Sequence, residues 1–353
     1  MAQRSPLHDI TSQAGAIFAE VCGWELPAHF GDAGAEYTAA LSQAVLFDRS
    51  HHGLVEAAGK EARIFLHNLS TNHIKELPEH GSCEAFFATV KAKAIAYVLI
   101  HHLKTEGKHE LFWIDAGPAQ GEKVFKHLDR HLISEQVELA DRTAECAQLH
   151  LAGPGAALLL AKVQGDASYR YLHSFRVQDP LGVPGFDLVV PAARGAEIWE
   201  RLLAEGSRPA GTQVYDWLRV EAGTPIYGRD IDEERFVVEV GRGERAISYH
   251  KGCYLGQEPI VMARDRGHVN RKLMGVTSAT GVPLAKDTKL LRDGNEVGQV
   301  MSSVVSPRFG AIALAYLRRG SDAPGLELTA EQGPVTVTAL PFGAAVTSSA
   351  APS

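Results

Sequence analysis

A single sulfur stands between a lysine and a tyrosine in Tyr249–Val261, "YHKGCYLGQEPIV". A thiol becomes a working nucleophile when a neighbouring cation or a helix N-terminus stabilises its thiolate. Lys251 stands two residues before Cys253, and the chain after Gly256 reads as a helix start near Gln257. Downstream, "ARDRGHVNRK" adds Arg264, Arg266, His268, Arg271 and Lys272. Gly252 and Gly256 leave room for a ligand or another chain to approach the backbone. Two readings stay open on this evidence of types and spacing. Cys253 is a reactive thiol with Lys251 as its cation, or it is a compact filler, since cysteine is among the most buried residue types.

A second candidate lies in "GTQVYDWLRVEAGTPIYGRDIDEE". Val214, Leu218 and Glu221 fall at i, i+4 and i+7, which places Glu221 on or beside the apolar stripe of a helix. Gly223 suits the end of that helix and Pro225 the stop. A carboxylate there faces a core and the negative end of the helix dipole, so it must find donors. Either an arginine supplies them (Arg219, Arg229 or Arg242), or a ligand does. A pterin presents two parallel donors, its N3–H and 2-amino group, that match one carboxylate.

Other features exclude more than they offer. Adjacent residues of a strand point to opposite faces, so neither His51-His52 nor His101-His102 readily shares one metal ion. Cys22, Cys83, Cys146 and Cys253 form no Cys-x-x-Cys pair, so reduced thiols and no metal site are expected. Formal net charge is −7, against a protein that grips nucleic acid through phosphates. No apolar run reaches the roughly 20 residues that span a bilayer, and the N-terminus lacks the apolar core of a signal peptide. A cytoplasmic protein with neither membrane nor nucleic acid as partner is expected.

The elements that must hold these groups can be read from periodicity. "GAEYTAALSQA" and "KEARIFLHNL" read as helices, the latter with Ala62, Phe65, Leu66 and Leu69 on one stripe. Between them an apolar stretch breaks at Asp48-Arg49-Ser50 and resumes as a strand from Leu54 to Ala58. "CEAFFATV", "AIAYVLIHHL" and "HELFWID" predict three strands, the last two joined at Glu106-Gly107-Lys108. A helix with Val124, Leu128 and Leu132 on one side follows, then strands in "QVELAD" and "CAQLHLAG" and a helix from Pro154. "AGKEARIFL" and "AGPGAALLL" echo each other as strand, glycine, helix, which two related lobes would explain. From Gly275 onward short strands alternate with turns, Asp293-Gly294 being a hairpin signal, and predict a small barrel or sandwich. The tail "AAVTSSAAPS" reads as disordered.

The order of motifs along some 300 residues resembles the glycine cleavage T protein (aminomethyltransferase) superfamily. The resemblance is carried by "PLHDITSQAGAIFAEVCGWELPAHF", "VLFDRSHHGLVEAAGKEARIFLHNLSTNHI", "LHLAGPGAALLL", "PLGVPGFDLVVP", "WLRVEAGTPIYGRDIDEE" and "GQVMSSVVSPRFGAIALAYLRR". "KGCYLGQE" resembles the signature of the folate-binding YgfZ-type branch, proteins tied to iron–sulfur enzyme maintenance. The resemblance implies an α+β fold of two lobes plus a C-terminal β-barrel around a tetrahydrofolate site. The expected division is 1–262 for the folate-binding region, with 49–149 an inserted lobe, then 263–343 for the barrel and 344–353 for the tail. It implies that Glu221 grips the pterin, that Asp187, Arg242 and Arg245 line the site, and that Cys253 and Lys251 carry the chemistry. In "SHHG", His51 matches the histidine of the family's SHxG. The catalytic aspartate of the family is missing: Ala92 stands in place of a glycine and Tyr97 in place of the acid. A phenol of pKa near 10 is a poor substitute for a carboxylate. The expectation is therefore a folate-binding accessory of iron–sulfur cluster assembly or repair, with iron–sulfur proteins or their assembly machinery as partners. The alternative is a true aminomethyltransferase.

Overall fold

The computed structural model describes residues 2–103, 109–266 and 269–344. The expected turn at Glu106-Gly107-Lys108, His268 of the basic run and the tail from residue 345 lie outside the described residues. The chain opens with a three-stranded sheet of β1 (Gln3–Arg4), β2 (Ile17–Val21) and β3 (Trp24–His29), with α1 (His8–Gln13) between the first two. α2 (Ala33–Ser42) follows, and Asp32 caps it by accepting from the N–H groups of Gly34 and Ala35. β4 (Val45–Asp48) ends at the polar break and β5 (His52–Gly59) resumes beyond it. The break is no surface loop, because Asp48, Arg49, Ser50, His51 and His52 are all buried.

α3 (Ala62–Leu69) buries the stripe its spacing predicts, Ala62, Phe65, Leu66 and Leu69. It packs with β6 (Ser82–Ala88), β7 (Ala94–Leu103), β8 (Glu110–Pro118), α4 (Gly121–His131) and β9 (Glu138–Asp141) around one core. Their sheet runs β6–β7–β8–β5–β9. A second sheet forms from β10 (Cys146–Ala152), β11 (His173–Val177), β12 (Gly185–Pro191) and β13 (Arg208–Pro209), with α5 (Ala156–Gln164) and α6 (Gly195–Ala204) connecting them. Its order is β11–β12–β10–β4–β13, so β4 and β5 lead from one sheet directly into the other. α5 starts two residues after Pro154, which sits in the preceding turn.

The sequence echo has a structural counterpart in β5–Gly59–α3 and β10–Gly153–α5. Both glycines have positive φ, 144° and 114°. A Cβ on Gly59 would lie 2.1 Å from the Gln136 carbonyl oxygen, and one on Gly153 would lie 2.4 Å from that of Gln43. Only glycine fits either corner.

α7 (Thr212–Glu221), α8 (Gly243–Ala246) and α9 (Gln257–Arg266) lead to the barrel. β14 (Arg271–Ser278), β15 (Lys289–Arg292), β16 (Asn295–Ser306), β17 (Gly310–Arg318), β18 (Glu327–Ala330) and β19 (Gly333–Thr338) close in the order β14–β17–β16–β15–β18–β19. Asp293 and Gly294 form the two-residue β15–β16 turn with φ of 52° and 76°, the double positive φ that such hairpins favour. The barrel buries Val276, Leu290, Val300 and Leu317 inside. Outside, Leu273, Ile312, Leu314 and Tyr316 pack with Val220 of α7. The mixed α+β fold with a C-terminal barrel is the class the sequence predicts.

Candidate active site

A cavity of about 550 Å³ opens where the β2–β3 hairpin, the β4–β5 break, the end of β8 and α7 meet, and Cys22, Asp48, His51, Tyr215, Asp216 and Arg229 face it. A smaller chamber of about 70 Å³ adjoins it. The two share Arg49, His52, Tyr215 and Tyr227, and the smaller adds Glu84, Tyr97, Asp115 and Arg219.

Arg49 is the hub of the wall between them. It donates to Asp115 at 2.8 Å and forms a short ion pair with Asp187. His52 Nδ1 lies 2.8 Å from Asp115, and His150 Nδ1 lies 2.7 Å from Asp187. Burial alone would keep both acids neutral, but the opposing charges prevail. His52 and Arg49 hold Asp115 well below the carboxylate range, and Arg49 and His150 hold Asp187 at about 2. Asp187 therefore reaches the site through Arg49, as a buried support of the wall.

α7 shows why a helix face decides a site. Tyr215, Asp216 and Arg219 share the face toward the cavity. Asp216 accepts from Arg219 at 2.9 Å and from Arg229 at 2.7 Å. Burial opposes its ionisation, yet the two arginines hold its pKa low. Arg219 is fully buried and also binds Asp230 at 2.6 Å and Ser302 at 2.9 Å.

Glu221 occupies the other face, beside Val214 and Leu218 as the sequence predicts, but that stripe packs against α2 and the barrel. The Tyr37 hydroxyl donates to it at 2.9 Å and Ser306 Oγ at 2.5 Å. Neither an arginine nor the cavity supplies its donors, and burial raises its pKa. The expectation that Glu221 grips a pterin is corrected on this geometry, because its carboxylate docks the barrel and lines neither chamber.

Tyr97 does face the smaller chamber, whereas Arg242 and Arg245, expected to line the site, are in the wall of neither chamber. All three converge on Glu84, a residue the sequence reading passed over. Tyr97 donates to Glu84 at 2.6 Å, Arg242 Nε at 2.9 Å, and Arg245 stands 3.7 Å away. Burial pushes the Tyr97 phenol well above its ordinary pKa.

The pairing of Lys251 with Cys253 is also corrected. The Lys251 ammonium is buried and donates to the carbonyls of His67, Ser70 and Asn72, the latter two at 2.6 and 2.8 Å. All three protons are used there. Cys253 is exposed at a shallow surface cleft with Asn68, Leu69 and Val90, outside both chambers. No set of three or more His, Cys, Asp or Glu side chains among the described residues is placed to hold a metal ion.

A two-sheet α+β body closed by a six-stranded barrel, with a polar chamber at the junction, defines a class that the sequence comparisons identify. Residues 7–179 and 181–251 match the GCVT N-terminal domain, and residues 271–342 match the glycine cleavage T-protein C-terminal barrel domain. The chain belongs to the glycine cleavage T-protein family. It is 32% identical to an aminomethyltransferase of Rubrobacter xylanophilus, over 96% of this chain and 93% of that one. It is 28% identical to an aminomethyltransferase of Desulfitobacterium hafniense, over 86% and 87%. The crystal structure of glycine cleavage system aminomethyltransferase T from Bartonella henselae superposes with a TM-score of 0.84 at 22% identity, over 97% and 98% of the two chains, and shares the fold. Matches to proteins of this name along almost the whole chain overturn the iron–sulfur accessory role, and the iron–sulfur partners with it. The cofactor of the family is tetrahydrofolate. The larger chamber falls within the roughly 300–1,000 Å³ that encloses a ligand of that size. Its wall sets the rings of Phe47 and Tyr215 beside the carboxylates of Glu20, Asp48 and Asp216, so the residues present fit such a group.

Proposed function

We propose that the protein is a tetrahydrofolate-dependent aminomethyltransferase of the glycine cleavage type. The observation that carries the reading is 32% identity, over 96% of the chain, to a protein named aminomethyltransferase. Glu20, Asp48 and Asp216 are the carboxylates lining the larger chamber, a lining that suits the paired N–H donors of a pterin. Phe47 and Tyr215 supply apolar wall for its ring, and Arg229 a cation. Tetrahydrofolate, when bound, supplies two nucleophilic nitrogens: both N–H bonds and the C–S and C–N bonds of a sulfur-borne aminomethyl donor break, two new C–N bonds form, and the protons leave on the thiol and on ammonia. The chain holds the cofactor, excludes water and manages protons. "KGCYLGQE" supports a YgfZ-type position within the family, and the activity does not depend on it. A cytoplasmic location is in keeping with four cysteines that form no disulfide.

The test is turnover with tetrahydrofolate and aminomethylated dihydrolipoamide as donor. Ammonia released in step with loss of free tetrahydrofolate is expected. Tight tetrahydrofolate binding without any ammonia would leave a binding protein and end the enzymatic reading.

A further inference from the structure

The cavity wall carries a titratable side chain that the protein itself does not use. His51 follows the polar break between β4 and β5, retains 7% exposure and lines the larger chamber. Its Nδ1 has no hydrogen-bond partner among the described residues. His52, its neighbour, is spent on Arg49 and Asp115. Leaving a buried polar nitrogen unpaired costs about 1–3 kcal/mol; Nδ1 is closed off from the chamber, so a ligand would meet the part of the ring that lines it. The charged and titratable groups facing His51 are His52, Arg49 and Asp115. Burial first, then His52 and Arg49, hold its pKa well below the ordinary value, so the ring is neutral and keeps a free lone pair.

Several other groups of the two chambers are committed to partners within the protein. Tyr97, at the position of the missing aspartate, has its hydroxyl tied to Glu84 at 2.6 Å and Arg242 at 3.1 Å. Asp115 is locked to Arg49 and His52, and Asp216 to Arg219 and Arg229. Asp48 accepts from Ser5 Oγ at one oxygen and from the Ser50 N–H at the other. A base is needed near the reacting nitrogens, and His51 lines the larger chamber with a neutral ring and no partner at Nδ1.

We propose that His51 is a catalytic base of this site, taking at a ring nitrogen the proton that a folate nitrogen gives up and returning it to the departing amine. The inference rests on the aminomethyltransferase reading. The proton is borrowed and returned, so the step consumes no oxidant, reductant or external base. In effect the imidazole does the proton work that position 97 cannot do.

Wild type and His51→Gln are compared with tetrahydrofolate and aminomethylated dihydrolipoamide, and tetrahydrofolate affinity is measured separately by calorimetry. The expected result is a kcat lower by about 10²–10⁴-fold with Kd changed less than about threefold. Wild-type turnover with a variant kcat within about threefold overturns the inference and leaves the functional reading standing. No turnover by wild type overturns both. A measurement without turnover uses wild type carrying ¹³C-labelled histidine, with His51 assigned by its loss in the variant, or in His51→Asn should glutamine prevent folding. Saturating tetrahydrofolate is expected to shift the His51 resonance, and an unmoved resonance overturns the inference.

Discussion

Replacing Arg49 with methionine keeps an apolar stem and deletes the guanidinium between two buried acids. Asp115 and Asp187 retain only 5% and 4% exposure. Removing one partner of a buried ion pair costs about 3–5 kcal/mol. Doubling that for two acids would overcount, because Asp115 keeps His52 at 2.8 Å and Asp187 keeps His150 at 2.7 Å. A loss of about 4 kcal/mol at pH 8 is therefore expected. The pH dependence has a definite sign. In wild type both acids have depressed folded pKa values, so their contribution is present above the usual range near 4 and is lost as pH falls toward about 2 for Asp187. In the variant His52 no longer feels the guanidinium, which together with burial lowers its pKa. It then takes a proton more readily beside Asp115. Stability gained that way is present below the ordinary histidine pKa of about 6.5 and fades as pH rises. The deficit should be smaller at pH 5.5 than at pH 8. Urea unfolding followed by tryptophan fluorescence measures both values. A deficit under about 1 kcal/mol at pH 8, or one that grows on acidification, refutes the hub.

Lys251→Met strips a buried donor shared by three carbonyls at the end of α3, and a loss of about 3 kcal/mol in urea unfolding is expected, with native Cys253 still open to a thiol reagent. Glu221→Ala leaves the Tyr37 and Ser306 hydroxyls unpaired at the barrel contact. It should cost about 1–3 kcal/mol of stability while tetrahydrofolate affinity by calorimetry stays unchanged; an affinity loss of tenfold or more would return that carboxylate to the cavity.

Periodicity located the helix carrying Glu221 and the stripe on which it lies. It could not say whether that stripe met a ligand or another part of the chain, because spacing reports which side is covered and not by what. The barrel was legible for the opposite reason: short strands and turns such as Asp293-Gly294 are local signals. Glu84, Arg49, Asp115 and Asp187 were harder, since Arg49 and Asp187 meet across 138 positions. A signal existed even so. Asp115 interrupts "LFWIDAG" and His150 interrupts "CAQLHLAG", each a charged or titratable residue inside a run otherwise fit for a core. The break at Asp48-Arg49-Ser50 was seen, but a polar break reads as a turn until burial shows that it faces an internal chamber.

The anchoring of Lys251 has a practical consequence. A few residues on, a Cβ at Gly256 would lie 2.4 Å from the Thr89 carbonyl oxygen, so the strip bearing Cys253 is clamped at both ends. Its sulfur cannot swing inward toward the larger chamber; a reagent must come to it from outside. With Cys22 replaced, a dye or spin label on that sulfur would ride rigidly with its lobe and serve as a ruler for motion of the barrel.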